Sequence, residues 1–154
     1  MRSVCRERVR ARPAAFVHCN RPAKVKLSEV LPEMKELKQR PDTMYIGGPV
    51  AANQMIVLVK APDKPEASLN VFEDVYVCSS LKVIQAIINH DDENERFRIY
   101  AGYAGWAPRQ LDNEVARGDW HIFQADADTV FDKSPSEIWP ELIHRSAMKY
   151  VKAH

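Results

Sequence analysis

A chain of 154 residues fits one domain, large enough to bury roughly 70% of its unfolded surface without metals or crosslinks. With 45% hydrophobic and 28% charged residues its composition is that of a soluble globular protein, and its apolar stretches, such as Met55 to Val59, are far too short to span a bilayer, so no membrane insertion is expected. The net charge of +1 conceals an asymmetry: residues 1–26 carry six Arg and two Lys against Glu7, or +7, and the remainder carries −6, so the acidic body offers no footprint for nucleic acid and direct nucleic-acid binding is not expected.

Residues 1–13 lack periodicity and read as a basic, disordered or atypical N-terminal arm, most simply a solvated one; the single domain is expected over 14–154. Ala14 to Cys19 form a short apolar run stopped by Asn20-Arg21-Pro22, a strand entering a turn. Ser28 is placed to cap a short amphipathic helix in which Val30, Leu31, Met34 and Leu37 recur at helical spacing, with Pro32 limiting its first turn. Met44 to Ile46 lead through a sharp turn at Gly47-Gly48-Pro49 into a β-prone run, Gln54 to Lys60. After a proline-rich loop over 62–68, Val71, Val75 and Val77 mark a third apolar strand, bent or interrupted at Glu73-Asp74.

Ser79 or Ser80 offers an N-cap to a helix with Leu81, Ile84, Ile87 and Ile88 on its apolar face. Phe97, Ile99 and Tyr100 form a strand running into a turn at Gly102 to Trp106; Pro108 then opens a helix with Leu111 and Val115 on one face, and Gly118 suits the left-handed residue beyond its end. Asp119 to Gln124 read as a strand, Asp126 as the cap of a short helix, and Ser134 with Glu137 as a capping box for a C-terminal helix. Strands and helices alternate without a regular βαβ repeat, which predicts an α+β fold, a single domain with a mixed, bent β-sheet flanked by helices.

Chemistry is harder to find. Cys5, Cys19 and Cys78 are an odd set without a CxxC pair and no apolar leader opens the chain, which points to free thiols and a cytoplasmic location. Cys78 follows an apolar strand and reads as a small buried hydrophobe. The five histidines lack metal-ligand spacing, no Ser or Cys sits in a nucleophile elbow, Gly102 to Gly105 is not a dinucleotide fingerprint, and Gly47-Gly48-Pro49 lacks the lysine of a phosphate loop. No catalytic residue, metal site or cofactor is therefore assigned, and the chain is read as non-catalytic.

Several separated motifs occur in order: Asn20-Arg21-Pro22, Gly47-Gly48-Pro49, and Gly102-Tyr103-Ala104-Gly105-Trp106 followed by Gln110-Leu111, Glu114 and Trp120. In order and spacing, from about residue 16 to the end, this pattern resembles the AlgH/YqgE family of bacterial proteins. The resemblance has departures. Family members begin with about thirty residues holding an early strand, where this chain has its basic stretch, and a shortened or misread beginning is the expected cause of the charge asymmetry. Arg109 stands where relatives commonly keep a second glycine, and Lys60-Ala61-Pro62 replaces a histidine common at the end of the second strand.

Family names invoke transcriptional regulation, including that of alginate production, and the resemblance implies a regulatory or binding protein with an unknown protein or small-molecule partner. Asn20, Arg21, Gly47, Gly48, Tyr103, Trp106, Arg109 and Gln110 are the candidate ligand-binding residues, polar groups beside flat aromatics at turns that could converge. Arg109 near helix amides offers a place for an anion, against the simpler reading of a solvated arginine. The competing structural reading has the glycines permitting tight turns, Asn20 and Gln110 bonding turn backbones, and Trp106 and Trp120 filling the core. The functional alternative is an enzyme or small-molecule sensor using Asn20, Arg21, Gly48, Trp106 and Gln110.

Overall fold

A computed structural model of the chain describes residues 2–4, 14–90 and 95–152. Strand β1 (Arg2–Val4) is the described part of the basic arm expected over 1–13, the rest of which lies outside the described residues. The apolar run at 14–19 supplies β2 (Ala14–Phe16), and beyond a turn at Cys19-Asn20 the chain enters β3 (Pro22–Lys26). The amphipathic helix expected from Ser28 is not one element. Helix α1 (Leu27–Val30) lasts a single turn with Lys26, not Ser28, at its N-cap, and a 3₁₀ turn covers Lys35–Gln39. Pro32 is the cause, because its ring keeps Leu31 out of the helical region, at φ −122° and ψ 64°. Leu27, Leu31, Met34 and Leu37 are nonetheless all buried, so two short turns use the spacing that one helix would have used.

Strands β4 (Thr43–Ile46) and β5 (Val50–Lys60) follow, then β6 (Leu69–Phe72) and β7 (Val75–Cys78), a hairpin that turns at Glu73-Asp74 with Glu73 at φ 45°. Helix α2 (Leu81–His90) buries Val83, Ile84 and Ile87. Strand β8 (Arg96–Trp106) then runs straight through the Gly102 to Trp106 segment, where a turn was expected; the positive φ of Gly102 makes a kink inside the strand and not its end. Helix α3 (Gln110–Ala116) closes in a Schellman motif, the Gly118 amide donating to the Val115 carbonyl and the Asp119 amide to that of Glu114, each at 3.0 Å, with Gly118 at φ 81°.

After β9 (Trp120–Ile122), Asp126 caps α4 (Ala127–Phe131) by accepting from the Thr129 amide at 2.8 Å. The long α5 (Pro135–Lys152) starts without the expected capping box: the Ser134 hydroxyl meets that of Ser136 at 2.8 Å, and the Ser134 carbonyl receives the Glu137 amide.

The strands form a mixed sheet in the order β3-β4-β8-β5-β7-β6, with β2 antiparallel to the far half of β8 and with β1 and β9 as a separate parallel pair. Within the main sheet β4 and β8 are parallel and the other pairs antiparallel. Alternation along β5 divides the core. Val57 and Val59 face the side covered by α1, the 3₁₀ turn and α2, whereas Leu58 joins Tyr100, Val75 and Val130 on the side covered by α4. A third cluster of Ala104, Trp106, Leu111 and Trp120 sits at the end of β8.

Strands β4 and β5 lie on opposite sides of β8 although only Gly47-Gly48-Pro49 connects them. That connection must pass over β8, and it does so with backbone on backbone. A Cβ on Gly47 would run into the Gly102 carbonyl and one on Gly48 into the Tyr103-Ala104 peptide; a Cβ on Gly102 would lie 2.6 Å from the Gly48 carbonyl oxygen. The glycines therefore form a crossing, not the tight turn expected from sequence. Beyond it, Ala51 to Gln54 bulge opposite Gly102, between the pairs Val50 with Tyr103 and Met55 with Ala101.

Candidate functional site

The residues singled out in the sequence occupy distinct places. Gly47, Gly48 and Tyr103 meet at the crossing. Arg21 offers its carbonyl to the Ile46 amide at 2.8 Å and leaves its side chain exposed on the edge of the sheet. Asn20 lines a small hollow of about 40 Å³ together with Phe123, Asp126 and Arg145. Arg109 is exposed and forms the N-cap of α3 in the left-handed region, at φ 66°.

Trp106 and Gln110 belong to a further cluster whose hub is Glu114. One carboxylate oxygen accepts both indole N–H groups, from Trp106 at 3.0 Å and Trp120 at 2.8 Å; the other accepts from the Gln110 amide at 3.0 Å. The Gln110 carbonyl in turn accepts from the Ala107 backbone amide at 3.1 Å, closing the link from β8 to α3. Phe16 and Trp120 both pack edge-on against Trp106, with centroids 5.3 and 5.5 Å away. The bonds from Trp120 and then Trp106 hold the Glu114 carboxyl below its ordinary pKa. This cluster ties elements together and leaves its polar groups paired with one another.

A larger space lies at the other end of β8. Arg40, Asp42, Thr43, Tyr45, Arg96, Phe97, Arg98 and Phe131 are among the residues lining a hollow of about 540 Å³ between the start of β8, β4 and the end of α4. Arg98 is 8% exposed, and its guanidinium donates to the carbonyls of Cys19 at 3.1 Å, Phe131 at 3.3 Å and Lys133 at 3.4 Å. It also lies over the Tyr45 ring, 4.7 Å from the centroid. Arg40 pairs with Asp42 at 2.6 Å and covers the face of Phe97. Next to Arg98, burial first and the neighbouring Cys19 second push the Tyr100 phenol well above its ordinary pKa, so it stays protonated.

Sequence reading missed this hollow. Arg98 alternates with Phe97 and Ile99, a pattern that reads as a solvent-facing charge on a half-buried strand, and only the packing of α4 over that face makes the position internal. Elsewhere Ser146, 5% exposed, shares a 2.9 Å hydrogen bond with Nδ1 of the half-buried His121, pinning α5 to β9. Among the described residues no group of three or more His, Cys, Asp or Glu could hold a metal ion, and no helix is long and apolar enough to cross a membrane.

The crossing, the Trp-Glu-Trp hub and the mixed sheet can be set beside known proteins. The AlgH-like family model matches residues 10–151. The chain belongs to the AlgH-like family. Among AlgH-like relatives, a UPF0301 protein of Methylococcus capsulatus is 35% identical over 111 residues, 71% of this chain and 60% of that protein. A UPF0301 protein of Corynebacterium efficiens is 32% identical over 126 residues, 79% of this chain and 62% of the relative. The chain thus spans about three-fifths of the length of these relatives. The solution structure of the AlgH protein from Pseudomonas aeruginosa matches 92% of the chain and 78% of its own length, with a TM-score of 0.69 and 27% identity.

Proposed function

We propose that this AlgH-like chain is a non-catalytic, regulatory binding protein of the cytoplasm that takes a small ligand in the hollow between β4, β8 and α4. The observation that carries the reading is a buried arginine, Arg98, lining a space of about 540 Å³. That volume lies within the range of roughly 300–1,000 Å³ typical of small-molecule sites, and the aromatic faces of Tyr45, Phe97 and Phe131 stand beside its polar groups. The pairing of polar groups around Glu114 and of Ser146 with His121 supports binding over catalysis. A free thiol at Cys78 suits a reducing compartment. Direct contact with DNA forms no part of the proposal, given the acidic body.

Capture of small molecules from native lysate, read by native mass spectrometry, tests the reading. A ligand retained by the parent protein and by Arg21→Ala but lost from Arg96→Gln supports the hollow. Loss from Arg21→Ala alone would instead move the site to the motif region of Asn20, Arg21, Gly48, Trp106 and Gln110, where an enzyme or sensor is the alternative.

A further inference from the structure

The hollow opens where the sheet comes apart. Strands β4 and β8 run parallel but pair only at Tyr45 with Tyr100 and Ile46 with Ala101, although they begin at Thr43 and Arg96. Thr43, Arg96, Phe97 and Arg98, on the stretches that do not pair, line the hollow. Arg40 stands at the same wall. Its backbone amide closes the 3₁₀ turn on the Leu37 carbonyl at 3.1 Å, its Nε donates to Asp42 at 2.6 Å, and its guanidinium carbon lies 5.6 Å from the centre of the Phe97 ring. Asp42 and Phe97 also line the hollow, so the guanidinium is held against that wall from two sides.

Of its three nitrogens only Nε has a partner among the described residues. A guanidinium offers an oxyanion one fork through Nε and a terminal nitrogen and another through both terminal nitrogens. Asp42 occupies the Nε side, and the end-on fork is left to match a second carboxylate or a phosphate with two parallel hydrogen bonds. Arg98 adds charge, since its hydrogen bonds go to neutral carbonyls. The carboxylates of Asp42 and Glu95 line the hollow as well, and Asp132 pairs with Arg96 at 3.7 Å, a balance that suits one anionic group and not a polyanion. Tyr45, Phe97 and Phe131 bring rings to the same walls, where a flat apolar body can lie.

Resting on the binding role proposed above, we infer that the hollow takes a small aromatic molecule with one anionic group, a carboxylate or phosphate set end-on to Arg40. Titration calorimetry of the full chain tests this with benzoate as the carboxylate source and phenyl phosphate as the phosphate source. Benzamide serves as the uncharged ring, and acetate and inorganic phosphate as anions without a ring. One of the two aromatic anions is expected to bind more tightly, by about tenfold or more, than benzamide and than its own ringless anion. Arg40→Gln removes the advantage over benzamide, and Arg40→Lys, which keeps the charge without the fork, restores only a minor part of it. Arg117→Gln, at the exposed end of α3, leaves binding unchanged. Both arginines have solvent access, so thermal melting should remain that of the parent.

The inference is overturned if benzamide or the ringless anions bind as well as the aromatic anions, if Arg40→Gln or Arg40→Lys binds like the parent, or if Arg117→Gln loses as much as Arg40→Gln. If molecules without an anionic group are retained from lysate while neither aromatic anion binds, the inference falls and the binding role stands. If nothing from lysate is retained and no probe binds, both fall.

Discussion

Trp106 and Trp120 donate their indole N–H groups to the same oxygen, Oε2 of Glu114, while their rings meet edge to face at 5.5 Å. The carboxylate is held below its ordinary pKa by Trp120, then Trp106, so the charged form is favoured in the folded chain. A group with a depressed folded pKa contributes stability that is fully present above its unfolded value and is lost as pH falls through its folded value. Acid titration followed by tryptophan emission should therefore show a transition below the ordinary carboxyl range. Glu114→Gln should lack that transition and unfold at lower urea at neutral pH, because the charge is lost and the amide oxygen can keep both indoles only by turning its NH2 onto that of Gln110, donor against donor. A parent-like acid profile in Glu114→Gln would remove Glu114 as its cause.

Gly48→Ala and Gly105→Ala differ by one methyl group each but should behave very differently. At Gly48 the added carbon collides with the Tyr103-Ala104 peptide, and moving that backbone displaces the central strand, whereas at Gly105 it meets side chains alone, the Tyr103 ring at 3.4 Å and a Val50 methyl at 3.9 Å. The first substitution should cost more than about 4 kcal/mol and the second about 1 kcal/mol or less. Urea unfolding of the two variants side by side gives the comparison. Similar losses would mean that the crossing relaxes and is not held backbone to backbone.

What could be read in the sequence was local. Asp126 as a cap, Gly118 as a helix stop and the break at Glu73-Asp74 all depend on residues within a few positions of one another, and each appears in the structure. Gly47-Gly48-Pro49 was legible as a place without side chains but not as a crossing, because the strand it crosses lies some fifty residues further on and pairing over that distance leaves no local mark. Arg98 was hidden for a related reason. Its alternation suits an exposed face equally well, and the carbonyls it binds belong to residues 79, 33 and 35 positions away. Pro32 shows the reverse case, a local signal whose effect on the helix from Ser28 was stronger than the apolar spacing suggested.

Arg109 occupies the left-handed region at φ 66°, the conformation that explains why the family resemblance leads one to expect glycine there. A side chain with a Cβ is strained in that region by about 1–2 kcal/mol, partly offset by the larger entropy that glycine loses on folding. Arg109→Gly is therefore expected to stabilise the chain by about 0.5–1 kcal/mol, raising the melting temperature by a few degrees. Scanning calorimetry checks this, and a lower melting temperature would mean that the arginine makes a contact outweighing its backbone strain. Ligand binding in the hollow should be unchanged, since Arg109 is not among its lining residues.

Arg98 joins the segment before β3 to the end of α4, and no other residue type reproduces its bonds. The planar fork reaches the Cys19 carbonyl from one terminal nitrogen and those of Phe131 and Lys133 from the other, at 3.1 to 3.4 Å. A lysine ammonium at the same position is a single centre that cannot span those acceptors, and methionine would leave the carbonyls at the end of α4 without their donor. Arg98→Met is expected to lose about 2–4 kcal/mol and Arg98→Lys only slightly less. The position of the damage distinguishes a local anchor from a general loss of packing. Hydrogen exchange should accelerate first in residues 127–133 and around Cys19, while Val57 and Ile99, on the opposite face of the sheet, keep their protection until global unfolding. Uniform acceleration across both faces would mean that Arg98 acts as core volume and not as a tie between two segments.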